Sequence, residues 1–169
     1  MKTTKKTLTF ALVLAALLCL LVLSASAYDG TEYGSTGMYY KISNGEVTIT
    51  DAKSDIKTAD IPESIDGYPV TRIGDYAFSG CTGLTKINWN AENVKDFSDC
   101  NGVFSNAGTS GNGIDVVFSD NVKHIPSYLF FSFEYKPPKI KAITIGSNVT
   151  SIGSCALDGT AWYNSQPYG

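Results

Sequence analysis

The residues that could carry chemistry are few, and most of them stand alone. His124 is the only histidine of the 169 residues. It lies between Val122 and Ile125, and nothing in the spacing around it supplies a nucleophile or an orienting carboxylate, as a hydrolytic triad requires. Asp96 and Asp99 could do acid–base work, but two acids in one turn are commonplace. Four cysteines (Cys19, Cys81, Cys100, Cys155) form no Cys-x-x-Cys pair, so a zinc site would have to gather its ligands from far apart. Small buried thiols filling a core are the simpler reading. Gly108, Gly111 and Gly113 do not sit between a strand and a helix, as a phosphate loop does. The expectation is a protein with no catalytic residue, no metal and no cofactor.

Charge narrows the partners. Arg72 is the only arginine, and three of the lysines (Lys2, Lys5, Lys6) lie in the first six positions. These open a segment with the marks of a secretory leader over 1–27. An unbroken apolar run spans 11–23, and Ala25-Ser26-Ala27 gives a small-x-small cleavage pattern. The run is shorter than the ~20 residues a spanning helix needs. Leu18 before Cys19 argues against a lipid-anchored leader. Removing the leader leaves ten basic against sixteen acidic residues, near −6. Nucleic acid is disfavoured, and no transmembrane segment is expected after leader removal. Three cysteines then remain, enough for at most one disulfide.

The elements that position the remaining residues follow from an internal repeat. The phrase VTRIGDYAF (70–78) is echoed at 94–104, 122–130 and 149–157. Steps along the valine column Val70, Val94, Val122, Val149 are 24, 28 and 27 residues; along Phe78, Phe104, Phe130, Leu157 they are 26, 26 and 27. A short strand precedes each phrase, with inward residues Ala59 and Ile61, Ile87 and Trp89, Val116 and Phe118, Ile143 and Ile145. A single row of this kind cannot bury its own apolar face, so rows must stack at strand spacing. The predicted fold is mostly β: a right-handed solenoid of about four rows over 58–159. A β-sandwich of the same strands need not share one 26-residue register and is disfavoured.

Residues 28–57 read as an N-terminal capping hairpin. Alternating runs at 39–43 and 46–50 flank Asn44-Gly45, a strong two-residue turn signal. Asp66-Gly67 marks a turn inside row one, 105–113 a flexible small-residue loop, and Pro137-Pro138 a loop between rows three and four. Residues 160–169 form a C-terminal tail.

The run IPESIDGYPVTRIGDYAFSGCTGLTKI (61–87) resembles the BspA-type leucine-rich repeat, whose units read roughly L-x-x-I-x-I-P, V-x-x-I-G-x-x-A-F-x-x-C-x-x-L. The tail IGSNVTSIGSCALDGTAWYNSQPYG resembles it again. Row two departs from the pattern, with Ser98 in place of glycine and two extra residues before Val103-Phe104. Row three has Pro126 at that glycine position, and the repeat's cysteine survives only as Cys81. The resemblance implies a leucine-rich-repeat solenoid and a non-enzymatic, exported bacterial surface protein engaged in adhesion and protein binding, with a host or neighbouring-cell protein as ligand.

The candidate binding face is the outward side of the strands: Asp60, Thr85, Lys86, Asn88, Asp115, Val117, Lys141 and Thr144. Trp89 falls on the inward register and is expected in the core. Trp162 and Tyr163 lie beyond the last inward column and are candidate exposed aromatics, which leaves glycan binding as the alternative function.

Overall fold

The structure is a computed structural model that describes residues 29–98, 101–132, 136–158 and 160. The leader and the 161–169 part of the tail, with Trp162 and Tyr163, lie outside the described residues, as do Asp99 and Cys100. Eleven strands and no helix make up the described chain. β1 (Thr31–Glu32), β2 (Met38–Ser43) and β3 (Glu46–Ala52) form the N-terminal cap. Asn44 and Gly45 both take positive φ (53° and 76°), the geometry a two-residue hairpin between right-twisted strands requires. β3 then pairs in parallel with β6 (Tyr68–Ile73), Val47 opposite Val70 and Ile49 opposite Ile73. The cap thus closes the edge of row one. β5 (Ser64–Ile65) folds back on β6 through Asp66 and Gly67, again both at positive φ.

The main parallel sheet takes one strand from each row: β4 (Thr58–Ile61), β7 (Lys86–Trp89), β8 (Ile114–Phe118) and β10 (Ile140–Thr144), in the spatial order β10-β8-β7-β4. Each strand lies beside that of the next row. On the opposite side β9 (His124–Ile125) pairs in parallel with β11 (Ser151–Ile152). A third ladder of main-chain bonds joins the corners: Tyr76, Phe78 and Gly80 N–H donate to the carbonyls of Asn101, Val103 and Ser105, and Tyr128 and Phe130 to Ser154 and Ala156.

The inward residues build continuous columns. Ala59, Ile87 and Val116 form one; Ile61, Trp89 and Phe118 another; all are buried. Trp89 is in the core, its indole N–H satisfied by Ala91 C=O at 2.9 Å. Phe78 and Phe104 stack with centroids 4.9 Å apart, and Phe104 meets Phe130 at 5.4 Å. At the corner before each of these residues stands a left-handed one: Tyr76, Gly102, Tyr128 and Cys155, with φ of 58°, 49°, 58° and 54°. Only row two places glycine there, although L side chains tolerate that conformation poorly.

One sequence expectation needs correction. Residues 105–113 are not an open loop. Ser105 and Ala107 are buried, Ser105 Oγ meets Ser132 Oγ at 3.1 Å, and Asn106 N–H donates to Lys136 C=O. Small residues are needed because rows pass closely: a Cβ on Gly113 would press on Lys139 C=O. The inward residues of row four are less buried than those of rows one to three, as a last row without a cap requires. Ile143 is half-buried, Ile145 is 42% exposed and Ile152 48% exposed. Among the described residues, β10 and β11 have a neighbouring row on one side only.

This asymmetry has a measurable consequence. Ile125, fully buried between rows, should lose about 2–5 kcal/mol on replacement by alanine. Ile152→Ala in the same column should lose about 1 kcal/mol or less. Urea unfolding of the two variants checks this, and equal losses would mean that row four is covered in solution.

Candidate functional site

The strand face is ordered by its register. Thr58, Lys86, Asp115 and Ala142 stand opposite one another in one outward column, and Asp60, Asn88, Val117 and Thr144 in the next. Asp60, Lys86 and Thr144 are exposed, while Asn88, Asp115 and Val117 are half-buried. Six of the eight predicted residues therefore fall into two aligned columns. The other two do not. Thr85 precedes β7, and its hydroxyl donates to Lys57 C=O at 3.0 Å. Lys141 sits at the irregularity between Ile140 and Ala142, and its ammonium pairs with Asp115 at 2.9 Å. Asn88 donates to the Asp60 carboxylate, so part of the polar inventory is matched from row to row.

The opposite face holds an arrangement that the sequence reading missed. His124 is not isolated. Its Nε2 lies 2.8 Å from Asp96 Oδ1 and its Nδ1 2.8 Å from Ser151 Oγ. The three residues are 28 and 27 positions apart, one repeat each, so they occupy one outward column of successive rows. Reading the outward positions of the second segment, as was done for the strand face, would have placed them together.

Asp96 has a further task. Pro126 in row three has no N–H, so it cannot make the bond that Gly153 N–H makes to Ile125 C=O (2.8 Å) between rows three and four. Rows two and three are joined instead by Phe97 N–H on Ser127 C=O and by the Asp96 carboxylate, which accepts Ser127 N–H at 2.7 Å. The Ser127 amide, and after it His124, hold the Asp96 carboxyl below the usual carboxylate range. Around Ser151 three main-chain donors are engaged: Thr150 and Ser151 N–H bond Lys123 C=O, and Gly153 N–H bonds Ile125 C=O.

The cysteines separate into two environments. Cys81 is buried, and burial pushes its thiol up to about 11, so it remains protonated. Cys155 is exposed, contrary to the expectation of a core thiol, because it occupies a left-handed corner of the last described row. Among the described residues no three His, Cys, Asp or Glu side chains gather as metal ligands, and no helix is long and apolar enough to cross a membrane.

The family model for the BspA type leucine-rich repeat region matches residues 51–165, in six copies. The chain belongs to the BspA-type leucine-rich repeat family. Neither the curated proteins nor the solved structures gave a significant match. The BspA-type repeat accounts for the stacked rows, and its glycine explains the close passage at Gly153, where a Cβ would overlap the main chain of Ser127. Departures from the repeat at Ser98 and Pro126 coincide with the place where Asp96 replaces a main-chain bond. Repeat scaffolds of this family are generally non-enzymatic.

Asp96→Asn should therefore act on stability. The loss expected at pH 7 is about 0.5–1 kcal/mol, kept small by solvent exposure of both partners. Because the folded state lowers the Asp96 value, this contribution is complete above the ordinary aspartate value of 3.8 and disappears as the pH falls below it. Urea midpoints of the two proteins at pH 7, 4 and 3 should converge toward acid.

Proposed function

We propose that this chain is a non-enzymatic interaction scaffold, exported from a bacterial cell by its leader and acting in the medium or at the cell surface. Its ligand is a protein of the host or of a neighbouring cell, bound on the outward face of β4, β7, β8 and β10. The observation that carries this reading is the alignment of outward side chains into two columns, repeated at strand spacing across four rows. Such a surface offers an extended partner an ordered set of contacts without any rearrangement of the scaffold. Val117 adds a half-buried apolar group in the middle of a polar field, the composition of an interface centre with a polar rim. Family membership supports the same reading, since leucine-rich repeats commonly mediate protein interactions.

The non-enzymatic part rests on the Asp96–His124–Ser151 line. A hydrolase needs a set of free donors for the developing oxyanion, and the Thr150, Ser151 and Gly153 N–H groups beside the hydroxyl are taken up in row-to-row bonds. Its acid is also solvent-exposed rather than buried behind the imidazole.

The test is capture of matrix and mucosal proteins by the mature chain, followed by affinity measurement with a purified captured protein. Lys86→Glu combined with Val117→Lys should weaken binding by roughly tenfold or more while leaving the melting temperature within a few degrees. Ser151→Ala, on the opposite face, should leave binding unchanged. Equal affinity of all three proteins would reject the strand face as the interface.

A further inference from the structure

The N-terminal hairpin gives row one a neighbour at β6 only. β3 lies beside β6 on the side away from row two, and β2 and β1 follow it outward. No described strand lies in the same way beside β4, which ends the parallel sheet. The Lys57 and Ile61 carbonyls accept the Thr85 and Asn90 N–H groups from row two. Main-chain groups of a parallel strand turn alternately to its two sides, so those of Thr58 and Asp60 point to the free edge. Among the described residues these N–H and C=O groups have no main-chain partner.

Free edges are ordinarily blunted by a charge held over them, by a bulge or by proline. β4 carries none of these. Its register with β7 runs unbroken from Thr58–Lys86 to Ile61–Trp89, and Pro62 comes only after its last residue. The two charged side chains at hand are drawn toward row two. Asp60 accepts the Asn88 amide, and the Lys57 ammonium lies over Gly83, where a Cβ would meet it. β10, at the other end of the sheet, differs in having a register irregularity between Ile140 and Ala142.

The hairpin also decides what can reach β4. β3, β2 and β1 stand one, two and three strand spacings beyond β6, the last at roughly 14 Å. A second folded sheet brought edge-on to β4 would meet them. A single extended segment fits, lying across from β3 as β4 lies across from β6. Ala59 and Ile61 are fully buried, so the segment's inward residues have to be small. Its outward residues pass the exposed Asp60, whose charge is answered only by a neutral amide. We propose that the β4 edge takes up an extended segment of a partner protein as an added strand, with small inward residues and a basic residue beside Asp60. The site uses main-chain groups rather than the outward columns, so it goes beyond the strand-face reading and stands or falls separately from it.

Two measurements on the mature chain test this. In amide hydrogen exchange without ligand, Thr58 and Asp60 should exchange about tenfold or more faster than Ala59 and Ile61, whose amides serve the ladder with β7. In an NMR titration, the blocked peptide acetyl-Thr-Ala-Lys-Ala-Thr-amide should shift the Thr58 and Asp60 amides saturably and slow their exchange. Exchanging its lysine for glutamate, or its alanines for leucine, should weaken binding about fivefold or more. Thr58→Pro removes an edge-facing N–H and no bond to β7, so it should abolish binding while the melting temperature stays within a few degrees. Asp60→Lys, at an exposed position, should reverse the preference between the lysine and glutamate peptides. Lys86→Glu with Val117→Lys should leave peptide binding unchanged. Equal exchange of the four amides, no saturable shift at Thr58 and Asp60, or a peptide preference unmoved by Asp60→Lys overturns the proposal. Shifts confined to Lys86 and Val117 would likewise reject the edge and assign the peptide to the strand face.

Discussion

A row of about 26 residues can neither satisfy its main-chain polar groups nor cover its apolar side chains by itself. Both needs are met by the next row, through hydrogen bonds that fix the spacing and columns of side chains that fill it. The sheet of β4, β7, β8 and β10, the corner ladder and the β9–β11 pair are three expressions of this one requirement. The stacked rings of Phe78, Phe104 and Phe130 follow from it, because strand spacing of ~4.8 Å is also close to a ring-stacking distance. The N-terminal hairpin is the exception that proves necessary: its second strand supplies row one with the neighbour that no earlier row provides.

The departures from the repeat matter for the same reason. Where Pro126 removes a donor, a carboxylate side chain has to stand in for the missing main-chain link, and Asp96 does so from the preceding row. Where Ser98 replaces glycine, its N–H and hydroxyl donate to Asn101 Oδ1 within row two, and rows one and two stay joined by Lys95 N–H on Thr71 C=O and Tyr76 N–H on Asn101 C=O. In a regular solenoid one face resembles the next along its length. Here the irregular row is what gives the second face local chemical character.

The solenoid was legible in the sequence because its signal is redundant. Ile61, Trp89 and Phe118 alternate with polar neighbours and recur with the period of Phe78, Phe104 and Phe130, so inward and outward positions could be assigned before any coordinates. The same logic placed Asp60, Asn88, Val117 and Thr144 in one column. Features that depend on interruptions were harder to read. Pro126 was visible as a departure from the repeat, but not that the Asp96 carboxylate of the preceding row would accept Ser127 N–H in its place. The left-handed corner left no composition signal, since Tyr76, Tyr128 and Cys155 carry it without glycine. His124 looked isolated because its partners are one repeat away in each direction, farther than a local motif reaches.

The regular period also bears on how such a chain folds. Joining neighbouring rows closes loops whose lengths differ only between 24 and 28 residues along the valine column. Loop-closure entropy grows with the logarithm of length, so that difference is a small fraction of thermal energy. Chain entropy therefore gives no pair of rows precedence over another. What distinguishes them is how much apolar surface each closure removes from water, and that quantity is greatest where Phe104 is sandwiched between two rings and least where the inward Ile145 and Ile152 stay exposed.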